Sequence, residues 1–113
     1  MSNQKRSRVF IPIDTDKYDV SNAKKFGEIV YILDDTVSPF NITETTYKII
    51  NSLKRNEFDP RKDFICMTGN SIILCWASIS IMTLFDKVNI LLFDSRTDDY
   101  QVKTLEKPWI EGD

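Results

Sequence analysis

Histidine is absent from all 113 residues. With it go every His-based catalytic triad, the common zinc sites, and the side chain that ordinarily exchanges protons near neutral pH. Any enzyme built on this chain must work with carboxylates, Lys, Tyr or Cys. Cysteine is scarce too, and Cys66 and Cys75 do not make a disulfide framework. Both lie inside apolar runs, where a free Cys behaves as a small hydrophobe, and their spacing matches no metal-ligand pattern. Only three glycines occur, and neither a Gly-x-Gly-x-x-Gly string nor a P-loop is present. No internal repeat or low-complexity segment interrupts the chain. The longest apolar run, Ile72 to Phe85, has 14 residues, three of them hydroxylic. A spanning helix needs about 20, so no membrane span is expected. Met1 to Arg8 is polar and the next apolar run is only Val9 to Ile13, so no secretory leader is expected either. The expected setting is reducing and cytoplasmic.

What is present suits a globular protein. Apolar residues make up 42% and charged residues 28%, and seven Phe, two Trp and four Tyr supply material for a core. The length suits one domain. We place a basic arm at residues 1–8, a single α/β domain at 9–106 and a tail at 107–113. The net charge of −2 and pI near 5.1 argue against a general nucleic-acid binder, whose footprint is a basic face. Lys5, Arg6 and Arg8 of the arm can touch phosphates, although a solvated terminal arm explains them better.

Val9-Phe10-Ile11-Pro12-Ile13 reads as a buried parallel strand, with Pro12 a caution because it removes a ladder donor. Asp19 or Ser21 can cap a short helix running to Phe26, and Gly27 can end it. Glu28 to Leu33 is a second strand, rich in β-formers. Asn41 followed by Glu44 resembles a capping box, and the helix it opens places Ile42, Thr46, Ile49, Ile50 and Leu53 on one face. Asp63 to Met67 is the third strand. A helix from Ser71 to Phe85 is apolar nearly all round, which suits a central helix or one that lies under a partner. Val88 to Phe93 and Tyr100 to Leu105 are two further strands joined by a turn. The alternation predicts an α/β fold, Rossmann/flavodoxin-like, with helices on both faces and strand order 2-1-3-4-5, the last strand antiparallel. The first helix covers one face and the other two cover the opposite one. One short helix is thin cover, so that face is a candidate for pairing with a second subunit in a homodimer.

In an open sheet of this kind, ligands bind beyond the carboxyl ends of the strands where the order reverses. Here that point lies between strands 1 and 3. The two loops that meet there are Asp14-Thr15-Asp16-Lys17-Tyr18 and Thr68-Gly69-Asn70-Ser71. The second is a candidate anion site, because Gly69 lets the backbone turn and the next helix presents free N–H groups, with Asn70 or Ser71 as cap. The nucleophile-elbow pattern fails at its second glycine, where Ile73 stands. A plain strand-to-helix turn accounts for the same residues.

A strand ending in Asp14-Thr15-Asp16 and another ending in Thr68-Gly69 resembles the first two motifs of the haloacid-dehalogenase-like phosphohydrolases. The resemblance implies Asp14 as nucleophile and Mg²⁺ ligand, Asp16 as acid–base and Mg²⁺ ligand, and Thr68 as phosphoryl holder. A carboxylate nucleophile with a metal clamp needs no His. The sequence departs from the family at Lys17-Tyr18, where Gly-Thr is usual, and at Lys87, which precedes a strand instead of lying on a helix. Without a metal, the same loops serve a phosphate- or nucleotide-binding protein.

Three strings, Tyr18 to Ala23 running on to Val30, Asp63-Phe64-Ile65 to Thr68-Gly69, and Leu91 to Arg96 with Tyr100, resemble small α/β accessory proteins of bacteriophages and other mobile genomes. That group carries no assigned activity. The resemblance implies a phage context in a host cytoplasm, no catalytic residues, no cofactor, and action by binding a protein. On this reading Tyr18, Asp98, Asp99, Tyr100 and Trp109 are the partner surface, the aromatics as exposed anchors and the acids in the turn from Asp94 to Asp99. Trp109 buried under a folded-back tail is the competing reading.

Overall fold

The strand at the middle of the fold is β1 (Arg8–Ile13), whose Val9, Phe10 and Ile11 are shut off from solvent. A computed structural model describes residues 6–14, 19–34, 38 and 40–107. Thr15, Asp16, Lys17 and Tyr18, the arm up to Lys5, and Trp109 lie outside the described residues. After β1 come a 3₁₀ helix (Ser21–Phe26), β2 (Glu28–Leu33), α1 (Ile42–Arg55), β3 (Phe64–Cys66), α2 (Ser71–Leu84), β4 (Lys87–Asp94) and β5 (Asp99–Glu106). The five strands make one sheet in the order β2-β1-β3-β4-β5. All neighbours run parallel except β4 and β5. The expected α/β architecture and strand order are therefore present. Among the described residues, no helix is long and apolar enough to cross a membrane.

Strand pleating sorts the core into two layers, because successive side chains point to opposite faces. Phe10, Ile65 and Val88 face α1 and α2, where they meet Ile49, Leu53, Ile73, Ala77 and Ile81. Phe58 closes this layer edge-on against Phe10, with ring centroids 5.0 Å apart. Val9, Ile11, Cys66, Leu91 and Tyr100 face the other way and pack with Ala23 of the 3₁₀ helix. Each large apolar side chain so buried stabilises the fold by about 1.5–3 kcal/mol.

Three local expectations need correction, and the caution over Pro12 is answered. The first helix is a 3₁₀ helix and not α; at six residues it is too short to gain much from α-type bonds. The buried stripe of α1 is Thr45, Ile49, Ser52 and Leu53, whereas Ile42 is half exposed. Two hydroxyl residues can enter the core because they are satisfied there: Thr45 Oγ1 donates to the Ser38 carbonyl at 3.1 Å, and the Ser52 Oγ lies 3.4 Å from the Asn56 amide. β3 is only three residues long, since Asp63 is an anchor and the pairing ends at Cys66, with the Met67 N–H making a last bond to the Leu91 carbonyl. Pro12 lies inside an interior strand, where proline is normally excluded. Its neighbours Ile11 and Ile13 both keep partners on β2, and the Asp14 N–H resumes the ladder on the Leu33 carbonyl.

Asp63 joins the start of β1 to the loop before β3. Its carboxylate accepts the Arg8 backbone N–H at 3.0 Å, Arg8 Nη2 at 3.1 Å and the Asp59 N–H at 2.8 Å. The Arg8 guanidinium also donates to the Glu57 carbonyl and lies over the Phe10 ring. Asn41 caps α1 by accepting the Glu44 N–H, while its own amide donates to the Glu44 carboxylate. α2 has no charged residue and shows Cys75 and Ile79 to solvent.

Candidate functional site

The sheet order brings the β3–α2 turn beside the end of β1. Gly69 adopts φ +140°, and a Cβ there would come within 3.3 Å of the Ile13 side chain. The chain then enters α2 through Asn70, whose Oδ1 accepts the N–H groups of Ile72 at 2.9 Å and Ile73 at 3.2 Å. Asn70, not Ser71, is the cap. Ser71 is the first helical residue and is exposed. Asn70→Ala is expected to cost about 1 kcal/mol, lowering Tm by roughly 5 °C in a chain of this size. Asn70→Asp should hold Tm or raise it, because a carboxylate also suits the positive helix end. Thermal melts followed by circular dichroism check both.

The other wall comes from the β4–β5 hairpin. A four-residue turn, Ser95 to Asp98, sets Phe93 opposite Tyr100, and their rings meet at 71° with centroids 5.3 Å apart. Asp98 takes φ +57° in this turn. Its carbonyl accepts from the Asn22 amide, which ties the hairpin to the 3₁₀ helix. Asp99 pairs with Lys25 and accepts the Tyr100 N–H. The Lys25 ammonium, followed by the Tyr100 N–H, holds the Asp99 carboxyl below its usual range. Asp94 is turned into the hairpin by Arg96 and Gln101.

Between these walls is an open pocket of about 490 Å³, lined among the described residues by Asp19, Met67, Thr68, Gly69, Leu74, Phe93 and Tyr100. Most of the lining is apolar. Its floor is a short hydroxyl chain: Thr68 Oγ1 lies 3.3 Å from the Tyr100 hydroxyl and 3.5 Å from the Cys66 thiol. Burial pushes the Tyr100 phenol and the Cys66 thiol above their ordinary pKa values. At the rim, Asp19 accepts the Ser21 N–H at 2.9 Å. That bond, followed by the Ser21 hydroxyl, lowers the Asp19 pKa.

The crevice thus lies at the predicted end of the sheet and includes Thr68 and Gly69. Tyr100 does not have the exposed role expected of it. It is 6% accessible, a buried wall rather than a projecting anchor, because strand pleating aims it at Cys66 and Leu91. Asp14 is exposed and is not among the lining residues. Its charge bears instead on Tyr31 of β2, whose phenol is raised first by burial and then by Asp14. Asp16, Tyr18 and Trp109 lie outside the described residues. Among the described residues, no group of three His, Cys, Asp or Glu side chains is placed to hold a metal ion. Phe93, Leu74 and Met67 were not foreseen as site residues. The hairpin register carried a signal for Phe93, since pairing Lys87 with Glu106 necessarily sets residue 93 against residue 100.

A small α/β chain with a pocket beyond the carboxyl end of β3 belongs to no single activity class. Comparison with known families is more specific. The family model described as phage Pam3 gp32-like protein matches residues 5–106, and the chain belongs to that family. No curated protein and no solved structure matches it significantly.

Proposed function

We propose that this phage-family protein is a non-enzymatic binding protein that seats a segment of a protein partner in the pocket between the β3–α2 turn and the β4–β5 hairpin. The observation that carries this reading is the pocket's composition. Apolar walls of Met67, Leu74 and Tyr100 are topped by Phe93, which remains 45% exposed. A rigid aromatic at the mouth of an apolar recess is a common energetic centre of interfaces. Asp19 puts negative charge at the mouth, which favours a partner segment carrying Lys or Arg beside its apolar anchor. Tyr18 and Trp109 enter this proposal on sequence grounds, as do a flavodoxin-like fold of one domain and a host-cytoplasmic setting.

The turn's own bonding bears on the phosphate alternative. An anion at residues 68–71 must displace Asn70 Oδ1 from two N–H groups and then face acidic residues. Affinity capture from phage-infected cells tests the main reading. Phe93→Asp should lose, by tenfold or more, a protein that the wild type retains. Its Tm should stay within a few degrees, because Phe93 sits near a strand end and is half exposed. Equal capture by Phe93→Asp sinks the pocket as the seat. Mg²⁺-dependent hydrolysis of p-nitrophenyl phosphate that vanishes in Asp14→Asn would overturn the non-enzymatic reading.

A further inference from the structure

We propose that β5 is a self-pairing edge, and that two copies of this chain join their β5 strands antiparallel, with Val102 on the two-fold axis, into one continuous sheet. This goes beyond the pocket reading and does not depend on it. β5 pairs with β4 along its whole length without a bulge, and its other edge has no strand among the described residues. The Lys107 N–H donates to the Asp86 carbonyl, which sets the phase of the ladder. Backbone groups of Asp99, Gln101, Lys103 and Leu105 bond inward to β4, so those of Tyr100, Val102, Thr104 and Glu106 point outward. Residues Gln101 to Thr104 are exposed, Val102 by 47%. A long, straight, bulge-free edge with an apolar residue is a template for another strand.

Charge selects the occupant and the register. The strand is acidic where it starts, at Asp98 and Asp99, and carries a net positive charge towards its end, where Lys103 and Lys107 flank Glu106; Asp99 also pairs with Lys25 and Lys107 with Asp86 of their own chain. Antiparallel self-pairing brings the acidic start of one copy to the basic end of the other. Outward groups alternate, so the axis must pass through a residue. Through Lys103 it sets two lysines opposite each other. Through Gln101 or Thr104 it shortens the paired stretch. Through Val102 it pairs Asp99 to Leu105 of both copies with no like charges opposed inside that stretch; Asp98 and Glu106 face each other just beyond it and end the pairing. Asp99 then lies diagonally between Lys103 and Lys107 of the second copy, at roughly 7–8 Å between backbones, within reach of lysine side chains. Val102 meets its own copy on the face that carries the 3₁₀ helix. Four backbone bonds form without disturbing existing ones: Val102 N–H to the other Val102 carbonyl, and Thr104 N–H to the other Tyr100 carbonyl, each twice. The Tyr100 N–H stays on Asp99.

Light scattering on a sizing column tests this at concentrations on the order of 100 µM, where weak self-association is populated by mass action. The wild type should elute with twice its 13.2 kDa mass. Val102→Pro removes an outward N–H that β4 does not use, and Lys103→Glu sets a carboxylate beside the second copy's Asp99. Each should weaken dimerisation at least tenfold. Because proline can unfold the strand, circular dichroism accompanies both, and Lys103→Glu stands alone if Val102→Pro melts. A monomeric wild type, or a Lys103→Glu protein as dimeric as wild type, overturns the proposal.

Discussion

Asp63→Ala is expected to remove on the order of 3–5 kcal/mol of stability, the usual consequence of stripping one partner from a buried ion pair. The Asp63 side chain is 2% exposed and holds three donors at once. Alanine leaves the Arg8 guanidinium 16% exposed without its counter-charge. The Arg8 and Asp59 N–H groups also lose their acceptor. Arg8 Nε is already buried with no hydrogen-bond partner, so the guanidinium has little reserve. Asp63→Asn keeps the shape and one acceptor, and should lose less. Urea denaturation of the two variants gives the comparison. Against a typical total of roughly 5–15 kcal/mol, the alanine variant should be partly unfolded at 37 °C. If its midpoint matches wild type, the Arg8–Asp63 pair is not what anchors β1 to the β3 loop.

Gly27→Ala is the second large effect, and its cause is contact more than contour. A Cβ at Gly27 would lie 2.3 Å from the Ser7 carbonyl oxygen and 2.7 Å from its carbon. Both are backbone atoms of the chain entering β1, so no side chain can swing aside. Gly27 also has φ +156° and ψ 178°, a region that is essentially glycine's alone. The substitution must push β2 away from the lead-in to β1. We expect a loss of about 3 kcal/mol or more, placing it with the overpacking and strained-backbone substitutions. The alanine variant should show poor soluble yield or a Tm at least 10 °C below wild type. Gly69→Ala makes the internal control. Its Cβ would meet only the Ile13 methyl at 3.3 Å, so its cost comes mainly from φ and should be smaller.

The order of strands could be read from the chain because each of its determinants is local. Continuous apolar strands separated by capped helices demand parallel pairing, and right-handed crossovers leave few arrangements. The turn from Asp94 to Asp99 is short enough that β4 and β5 must pair. That order placed Thr68 and Gly69 at a crevice, but among the described residues the second wall of the pocket is the β4–β5 hairpin and not the loop after β1 expected there. What composition and periodicity do not reveal depends on particular side-chain partners, some a turn away and some far along the chain. Thr45 and Ser52 look polar in isolation, and only Ser38 and Asn56 make their burial tolerable. Asp63 looks like the polar start of a strand, and only Arg8, 55 positions away, makes it an anchor. Tyr100 looks like an exposed anchor in the sequence because it follows the polar turn from Asp94 to Asp99. Its pairing with Phe93 and its contact with Thr68 turn it inward.

The hydroxyl floor and carboxylate rim of the pocket have a consequence for how the site behaves in different surroundings. Asp19 titrates below the normal carboxylate range, and Tyr100 and Cys66 above their normal ranges. No histidine exists anywhere in the chain to fill the gap between them. The described residues of the pocket therefore keep one charge pattern near neutral pH, negative at Asp19 and neutral at Tyr100 and Cys66. If the pocket seats a partner segment as proposed, the described residues that line it supply no proton trigger for its release.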